Sequence, residues 1–334
     1  VAARISPKRR GTRALAGTLV DTYLITGGAG FIGSNIAHEL VRCGHSVRIV
    51  DNFSTGNIAN LEDIADKVTL IEGDVRDPAT MQRACKGVQY VTHQAALPSV
   101  QRSVEDPGTT THVNINGLLN VLICARDAGV LRLVFASSSS VYGETRELPK
   151  HEGLSTIPLS PYALSKLTGE HFCRLFHELY GLETFALRYF NVYGPRQNPE
   201  TRYAAVIPRF IQSLRAGTPP TVHGDGTQTR DFTFVDDVVQ ANLACFRAPA
   251  SSAGCVYNIA GGGRTSILEL LEVLGKLLTR EMEPEFGEVR AGHVHDSEAD
   301  PASALEHLHW SAQVSLADGL RQTIDWFQHA DPAK

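Results

Sequence analysis

Through the first half of the chain, apolar residues alternate between two patterns. Short aliphatic runs fall at Asp21–Ile25, Val47–Val50, Val68–Ile71, Tyr90–Gln94, Leu131–Ala136 and Thr184–Arg188. Between several of them lie stretches with a helical apolar spacing: Ser34–Cys43, Thr110–Asp127, and a run from Pro161 to about Tyr180. Buried strands alternating with helices predict parallel strands joined by crossovers. Five or six such units make a doubly wound parallel α/β sheet. Past residue 189 the pattern loosens, and prolines and glycines cluster from Gly194 to Gly226 around one helical stretch, Ala205–Arg215. A strand over Arg230–Val235, a helix over Asp236–Arg247, a strand over Val256–Ile259 and a helix over Ser266–Thr279 are expected next. The division predicted is a first domain over 21–188, joined by returning elements from about 231–260, and a smaller lobe over 189–330.

The first strand leads directly into Thr26–Gly33, T-G-G-A-G-F-I-G, and then into a helix. Gly27, Gly30 and Gly33 therefore fall where a dinucleotide site needs a tight turn and a close backbone approach. A helix N-terminus then faces the pyrophosphate. The second strand closes on Asp51, eighteen residues after Gly33. A carboxylate there accepts hydrogen bonds from an adenosine ribose and repels a 2′-phosphate, which predicts NAD rather than NADP in a Rossmann-type domain. Gly73-Asp74-Val75 is expected beside the adenine. Ala95-Ala96 after the fourth strand would let the backbone approach the cofactor.

The 334 residues suffice for two modest domains, and 43% hydrophobic with 20% charged residues is the balance of a soluble globular protein. A net charge of −5 argues against nucleic acid as a partner. With no apolar run of about 18 residues, no membrane-spanning helix is expected. The six cysteines form no Cys-x-x-Cys pair and read as reduced packing residues of a cytoplasmic protein. Arg4, Lys8, Arg9, Arg10 and Arg13 precede any acidic residue, so residues 1–20 are expected to be a disordered basic tail rather than a targeting segment.

The candidate chemistry sits in Ser160–Lys166, S-P-Y-A-L-S-K. If Pro161 opens a helix, Tyr162 and Lys166 share one face a turn apart. Lowering a tyrosine from about 10 to neutrality takes about 4 kcal/mol. A nearby ammonium in a poorly hydrated site could supply much of it. Upstream, the Leu131–Ala136 strand runs into Ser137, Ser138, Ser139 and Ser140, then Val141-Tyr142-Gly143. Hydroxyls at the carboxyl end of a parallel strand face the ligand crevice of such a sheet.

Taken together, Thr26–Ser34, Asp51–Gly56, His93–Val100, Ser137–Gly143, Tyr162–Lys166, Arg188–Asn191, Tyr203–Pro208 and Gly224–Asp231 resemble the extended short-chain dehydrogenase/reductase family. Within it the likeness is to UDP-sugar 4-epimerases of the UDP-glucose and UDP-N-acetylglucosamine type, and it covers Asp21 to about Phe327. The resemblance implies NAD as a recycled oxidant, with Tyr162 as base, Lys166 as its electrostatic partner and ribose ligand, and Ser138 orienting the sugar's 4-oxygen. It implies cofactor contacts at Gly27, Gly30, Phe31, Ile32 and Gly33, then at Asp51, Asn52, Ser54, Thr55 and Gly56. Asp74, Val75, Gln94, Ala95, Ala96, Asn114 and Tyr189 complete that side. On the substrate side it implies Ser99, Ser138, Ser139, Ser140, Asn191, Ala205 and Val206, followed by His223, Arg230, Arg290, His293 and Ser297. Dehydratase relatives put an Asp-Glu pair directly after the active hydroxyl, and decarboxylating ones a glutamate at the position of Ser140. The serines here favour simple epimerisation.

The chain departs from the family at Arg290-Ala291-Gly292-His293, where members commonly read Arg-Glu-Gly-Asp beside the uridine ribose. His293 cannot stand in for that carboxylate, and with no third ligand apparent, His293 and His295 are not expected to hold a metal. At Ser297, relatives restricted to plain hexoses carry a tyrosine. Serine there implies room for an N-acetyl group, and Ser99 matches a position near the sugar in N-acetyl-handling relatives. The expected substrates are therefore UDP-N-acetylglucosamine and UDP-N-acetylgalactosamine, alongside UDP-glucose and UDP-galactose. The alternatives are a UDP-glucuronate 4-epimerase, or a non-catalytic NAD-binding regulator. The resemblance also implies a homodimer formed through a four-helix bundle, by way of the helices around Thr110–Asp127 and Tyr162–Tyr180.

Overall fold

The strands β1 (Thr22–Thr26), β2 (Ser46–Asp51), β3 (Val68–Glu72), β4 (Tyr90–His93), β5 (Arg132–Ser138) and β6 (Glu183–Tyr189) all run parallel in one sheet. A seventh strand, Cys255–Ile259, adds to the outer edge of β6, also parallel. The order is Cys255–Ile259, β6, β5, β4, β1, β2, β3. The direction of winding reverses between β1 and β4, and a crevice opens at the carboxyl ends of the strands at such a reversal. The structure, a computed structural model, describes residues 20–200, 204–288 and 294–329.

Both faces of the sheet are apolar because its strands alternate two sets of side chains. Ile25, Ile49, Val134, Phe185 and Leu187 pack on one side with Ile36 and Leu40 of helix α1 (Phe31–Arg42). Leu24, Val50, Val91, Leu133, Phe135 and Ala186 pack on the other. That second layer includes α2 (Pro78–Cys85), and beyond it α3 (Val100–Glu105) and α4 (Pro107–Thr111) lead into α5 (Leu118–Asp127), which is followed by α6 (Pro161–Tyr180). The 20-residue α6 begins where expected: Pro161 occupies the first turn, and the Ser160 hydroxyl accepts the Ala163 N–H at 3.1 Å.

The smaller cluster gathers α7 (Val206–Ala216), α9 (Ile267–Leu278) and the helix Leu316–His329 around Phe210, Leu214, Leu270, Leu274 and Ile324. Between α7 and α9 in the chain, α8 (Val235–Arg247) and the strand Cys255–Ile259 go back to the large sheet. Among the described residues no helix is long and apolar enough to cross a membrane, and no three His, Cys, Asp or Glu groups could hold a metal ion. All six cysteines are free; Cys85, Cys124, Cys173 and Cys245 are buried, and Cys43 and Cys255 exposed.

Several elements differ from the sequence expectation. The strand expected over Arg230–Val235 is two short ones, Thr229–Arg230 and Thr233–Phe234, paired to different partners. Asp231 lies between them, its carboxylate turned inward to accept the Ala299 N–H at 3.1 Å. The helix expected over Thr110–Asp127 contains a π-helical turn at His112–Gly117, between α4 and α5. Helices α2, α3, Ala302–Leu308 and Leu316–His329 were outside the apolar patterns read from sequence, the first two being only 8 and 6 residues long. Residues 1–19 lie outside the described residues.

Candidate functional site

A cleft of about 1930 Å³ follows the carboxyl edge of the sheet and continues into the second lobe. Its first wall is the turn between β1 and α1. Gly27 has φ +71°, and a Cβ there would fall 2.6 Å from the Ala95 backbone nitrogen. At Gly33 a Cβ would meet the Gly27 carbonyl oxygen at 2.2 Å. Both positions therefore exclude a side chain, and the turn closes tightly on its neighbours. Helix α1 starts at Gly30 with no side chain capping it. Its first N–H groups are left for an anionic ligand, with the helix dipole favouring negative charge.

Asp51 ends β2 beside this turn, 7% exposed. One carboxylate oxygen accepts the Ala29 N–H at 2.9 Å and the other the Phe53 N–H at 2.8 Å. The glycine turn and the acid thus fix one another, while the acid still lines the cleft. Farther along, Asp74 accepts from Asn52 at 2.8 Å and from Arg76 at 2.7 and 2.9 Å. The Arg76 hydrogen bonds hold its carboxyl well down, at about 2. This cradle fits a dinucleotide: close backbone, uncapped helix N-terminus, and a fixed carboxylate at the ribose distance in sequence.

The second wall joins β5 to α6. Ser138, the last residue of β5, has a hydroxyl that accepts from the Ser140 N–H at 3.2 Å and the Ser140 hydroxyl at 2.9 Å. The same hydroxyl stands on the Tyr162 side of the wall, where it favours the ionised phenol. Burial pushes that phenol up, and the Ser138 bond opposes the rise. One turn on, Lys166 is 4% exposed and donates to the Ala136 carbonyl at 2.7 Å. Burial pushes its ammonium down to about 8. The nitrogen stands 5.8 Å from the Tyr162 ring centroid and 5.0 Å from that of Phe135. The Lys166 ammonium thus lies over the rings of Tyr162 and Phe135.

Ser137 points the other way, its hydroxyl 2.5 Å from Glu170. Glu170 also receives both arms of Arg188, at 2.9 and 2.7 Å, in a buried ion pair. The carboxylate nearest the serine run is therefore engaged behind the sheet and separate from the cleft. At the end of β6 the Tyr189 hydroxyl accepts from Asn242 at 2.8 Å and from Gln94 at 3.2 Å, tying that wall to α8.

Of the residues expected at the site, most line this one cleft. Phe31, Ile32, Ser54, Thr55, Val75, Ala95 and Ala96 lie on its cofactor side, and Ser99, Ser139, Ser140, Asn191, Ala205, Arg230 and Ser297 toward the second lobe. Four do not reach it. Asn114 is 3% exposed in the π-helical turn, its amide oxygen taking the Leu97 N–H at 2.8 Å and its nitrogen bonding Ser165 at 3.1 Å. These bonds hold the loop after β4 against α6. Gly56 packs behind Asp51, where a Cβ would come 3.0 Å from both carboxylate oxygens. Val206 opens α7 away from the wall, and the His223 ring meets the Glu288 carbonyl at 3.1 Å. Arg290 and His293 lie outside the described residues.

Sequence reasoning passed over Lys150, Arg196 and Gln197, which all line the cleft. They sit in loops without periodicity, and no motif carries them. The one available signal was chemical: Lys150 and Arg196 are cations within proline-flanked loops.

The model of the NAD dependent epimerase/dehydratase family matches residues 23–260. A UDP-glucose 4-epimerase of Mycolicibacterium smegmatis is 38% identical over 310 residues, 92% of this chain and 98% of that protein. Among solved structures, a UDP-N-acetylglucosamine 4-epimerase from Methanobrevibacter ruminantium, in complex with UDP-N-acetylmuramic acid, superimposes with a TM-score of 0.88. It is 36% identical, over 93% of this chain and 99% of its own. A UDP-glucuronic acid 4-epimerase from Bacillus cereus, in complex with UDP-glucuronic acid and NAD, gives 0.86 at 32% identity, over 92% of this chain and 99% of its own.

The fixed Asp51 carboxylate makes cofactor choice testable. Titration of the cofactor-free protein should show NAD bound at least ~10-fold more tightly than NADP, a difference of about 1.4 kcal/mol. Asp51→Ala should narrow that gap. Equal affinities in the unaltered protein would refute the role.

Proposed function

The chain belongs to the NAD dependent epimerase/dehydratase family, and within it we propose that it interconverts UDP-sugars differing at carbon 4. The observation that carries this reading is that Ser138, Tyr162 and Lys166 line one wall of a cleft that continues to the glycine turn. Bound NAD⁺ supplies a hydride acceptor that later gives the same hydride back. Tyr162, as phenolate, takes the proton of the sugar's 4-hydroxyl, and the Ser138 hydroxyl holds the phenolate. Ser140, donating to Ser138 through both its N–H and its hydroxyl, fixes that serine in the wall. The sugar then carries a ketone at carbon 4 and turns within the cleft, while the Arg230 guanidinium retains the diphosphate. Tyr162 returns the proton to the opposite epimer. Lys166 contributes a buried positive charge beside the phenol and a ribose contact. The absence of a free carboxylate along Ser138–Ser140, with Glu170 committed to Arg188, supports epimerisation over elimination or decarboxylation.

Substrate choice is proposed to turn on Ser297. The residue is 3% exposed, and its small side chain lines the cleft on a segment pinned by its N–H to the Thr229 carbonyl at 3.2 Å. Serine leaves room near carbon 2, which supports the N-acetylated pair, UDP-N-acetylglucosamine and UDP-N-acetylgalactosamine, together with the plain hexoses.

A homodimer is proposed from α6. Tyr162, Lys166 and Glu170 face the sheet, whereas Leu164, Leu175 and Leu179 are 53, 38 and 66% exposed on the opposite side. Ile123 of the adjacent α5 extends the same apolar surface. Two copies presenting these helices to each other would form a four-helix bundle.

Three measurements bear on these proposals. Tyr162→Phe should lower turnover at least ~100-fold with little change in UDP-sugar affinity, and near-normal turnover would sink the assignment. A panel of UDP-sugars assayed for 4-epimers should show the acetylated pair converted by the unaltered enzyme. Ser297→Tyr should abolish that conversion while sparing UDP-glucose; an enzyme that turns over no N-acetylated sugar refutes the steric argument. Sedimentation should give a dimer that Leu175→Glu converts to a monomer, and an unaltered protein sedimenting as a monomer would remove the bundle.

A further inference from the structure

Lys150 is a buried cation with no carboxylate in salt-bridge contact among the described residues. It is 1% exposed, yet it lines the cleft. Its backbone is clamped on both sides: the N–H donates to the Glu298 carbonyl at 2.8 Å, and the carbonyl accepts the Asp300 N–H at 2.8 Å and the Asn258 amide at 2.9 Å. These bonds fix Lys150 alongside the segment that carries Ser297. Among the described residues no carboxylate lies within salt-bridge distance of its nitrogen, and no acceptor takes a hydrogen bond from it. The Tyr142 ring centroid stands 6.0 Å away, at the outer limit of a cation–π contact.

The charges that do act on it are of opposite sense. Arg230, on the same cleft, repels it, and Asp296 attracts it. Asp296 is already engaged by the Thr229 hydroxyl at 2.5 Å and by His295 at 3.0 Å. Burial first, and Arg230 second, push the ammonium down to about 8. An uncompensated ammonium is costly to bury, and an apolar side chain of the same length would pack there without that cost. Two cations turned on one cavity, one of them with no salt-bridge partner among the described residues, describe half of an anion site.

We propose that Lys150 is a substrate-binding residue whose ammonium acts with the Arg230 guanidinium on anionic oxygens of the substrate. This rests on the reading of the substrate as a UDP-sugar. Such a ligand offers anionic oxygens from two sources, the diphosphate in every case and a ring carboxylate in a uronic acid. The nearness of Arg230 favours the diphosphate.

Calorimetric titration of the NAD-loaded enzyme with UDP, UDP-glucose and UDP-glucuronate tests this, with thermal melting run on each variant. Lys150→Met should weaken UDP and UDP-glucose alike by ~30-fold or more, with the ligand-free melting temperature unchanged or raised. Lys150→Arg, which keeps the charge, should retain most of the affinity. A loss confined to UDP-glucuronate would support the same site with the carboxylate as its ligand. Unaltered affinity for all three ligands in a folded Lys150→Met overturns the proposal. If that variant melts early, Lys150→Gln decides instead, and wild-type UDP affinity there overturns it equally. An enzyme that binds UDP through Lys150 but epimerises no UDP-sugar would sink the epimerase reading alone. One that binds none of the three ligands would sink both.

Discussion

The bond from the Lys166 ammonium to the Ala136 carbonyl ties α6 to the carboxyl end of β5, and the arrangement of the site depends on it. Strand β5 ends at Ser138, two residues later, and Tyr162 lies one turn earlier on α6. Fixing Lys166 against Ala136 therefore fixes the phenol against the serine. An ammonium so deeply buried would normally lose its charge or its place. The carbonyl and the ring of Phe135 hold it where it is, at the expense of a proton affinity lowered to about 8. One further turn down, Glu170 accepts from Ser137 and from Arg188 of β6. The same helix is thus tied to two neighbouring strands by successive residues of one face. A one-residue slip of α6 would break all three ties together.

That face also requires close approach. Gly169 lies between Lys166 and Cys173, and a Cβ there would come 2.4 Å from the Phe135 ring. The helix rests against the sheet at this point, so the distance from phenol to serine is set by packing as well as by hydrogen bonds. Packing at crystal-like density leaves little freedom to adjust. The opposite face of α6 carries leucines that solvent does not favour. The helix thus carries the geometry of the wall on one face and exposed leucines on the other.

What could be read from sequence follows from how local each constraint is. The glycine turn was legible because Gly27 and Gly33 exclude side chains for reasons lying within a single strand-turn-helix unit. Tyr162 and Lys166 were legible because helical spacing alone puts them on one face. The surroundings of Asn114 were not legible, since helical spacing says nothing about a π-helical turn that directs its amide to Leu97 and Ser165. The strand expected over Arg230–Val235 failed for a comparable reason: Asp231 turns inward to hold Ala299, a partner 68 residues away. Periodicity cannot register a contact of that kind.

The substrate end of the cleft is built almost wholly from such distant contacts. Lys150 pairs with Glu298 and Asp300, Ser297 with Thr229, and Asp231 with Ala299. Burial raises the Asp231 carboxyl to about 7, and the N–H groups of Ala299 and of Gly261–Gly263 oppose that rise. Backbone groups do most of the joining, so side chains facing the cleft are left free to vary without unmaking the wall. The cofactor end has the reverse construction, in which Asp51 is bound up with the glycine turn itself and neither can change alone. A fold built this way can keep one redox cradle while side chains at the other end of the cleft vary. This explains why relatives with glucose, N-acetylglucosamine and glucuronate in their names resemble this chain to nearly the same degree.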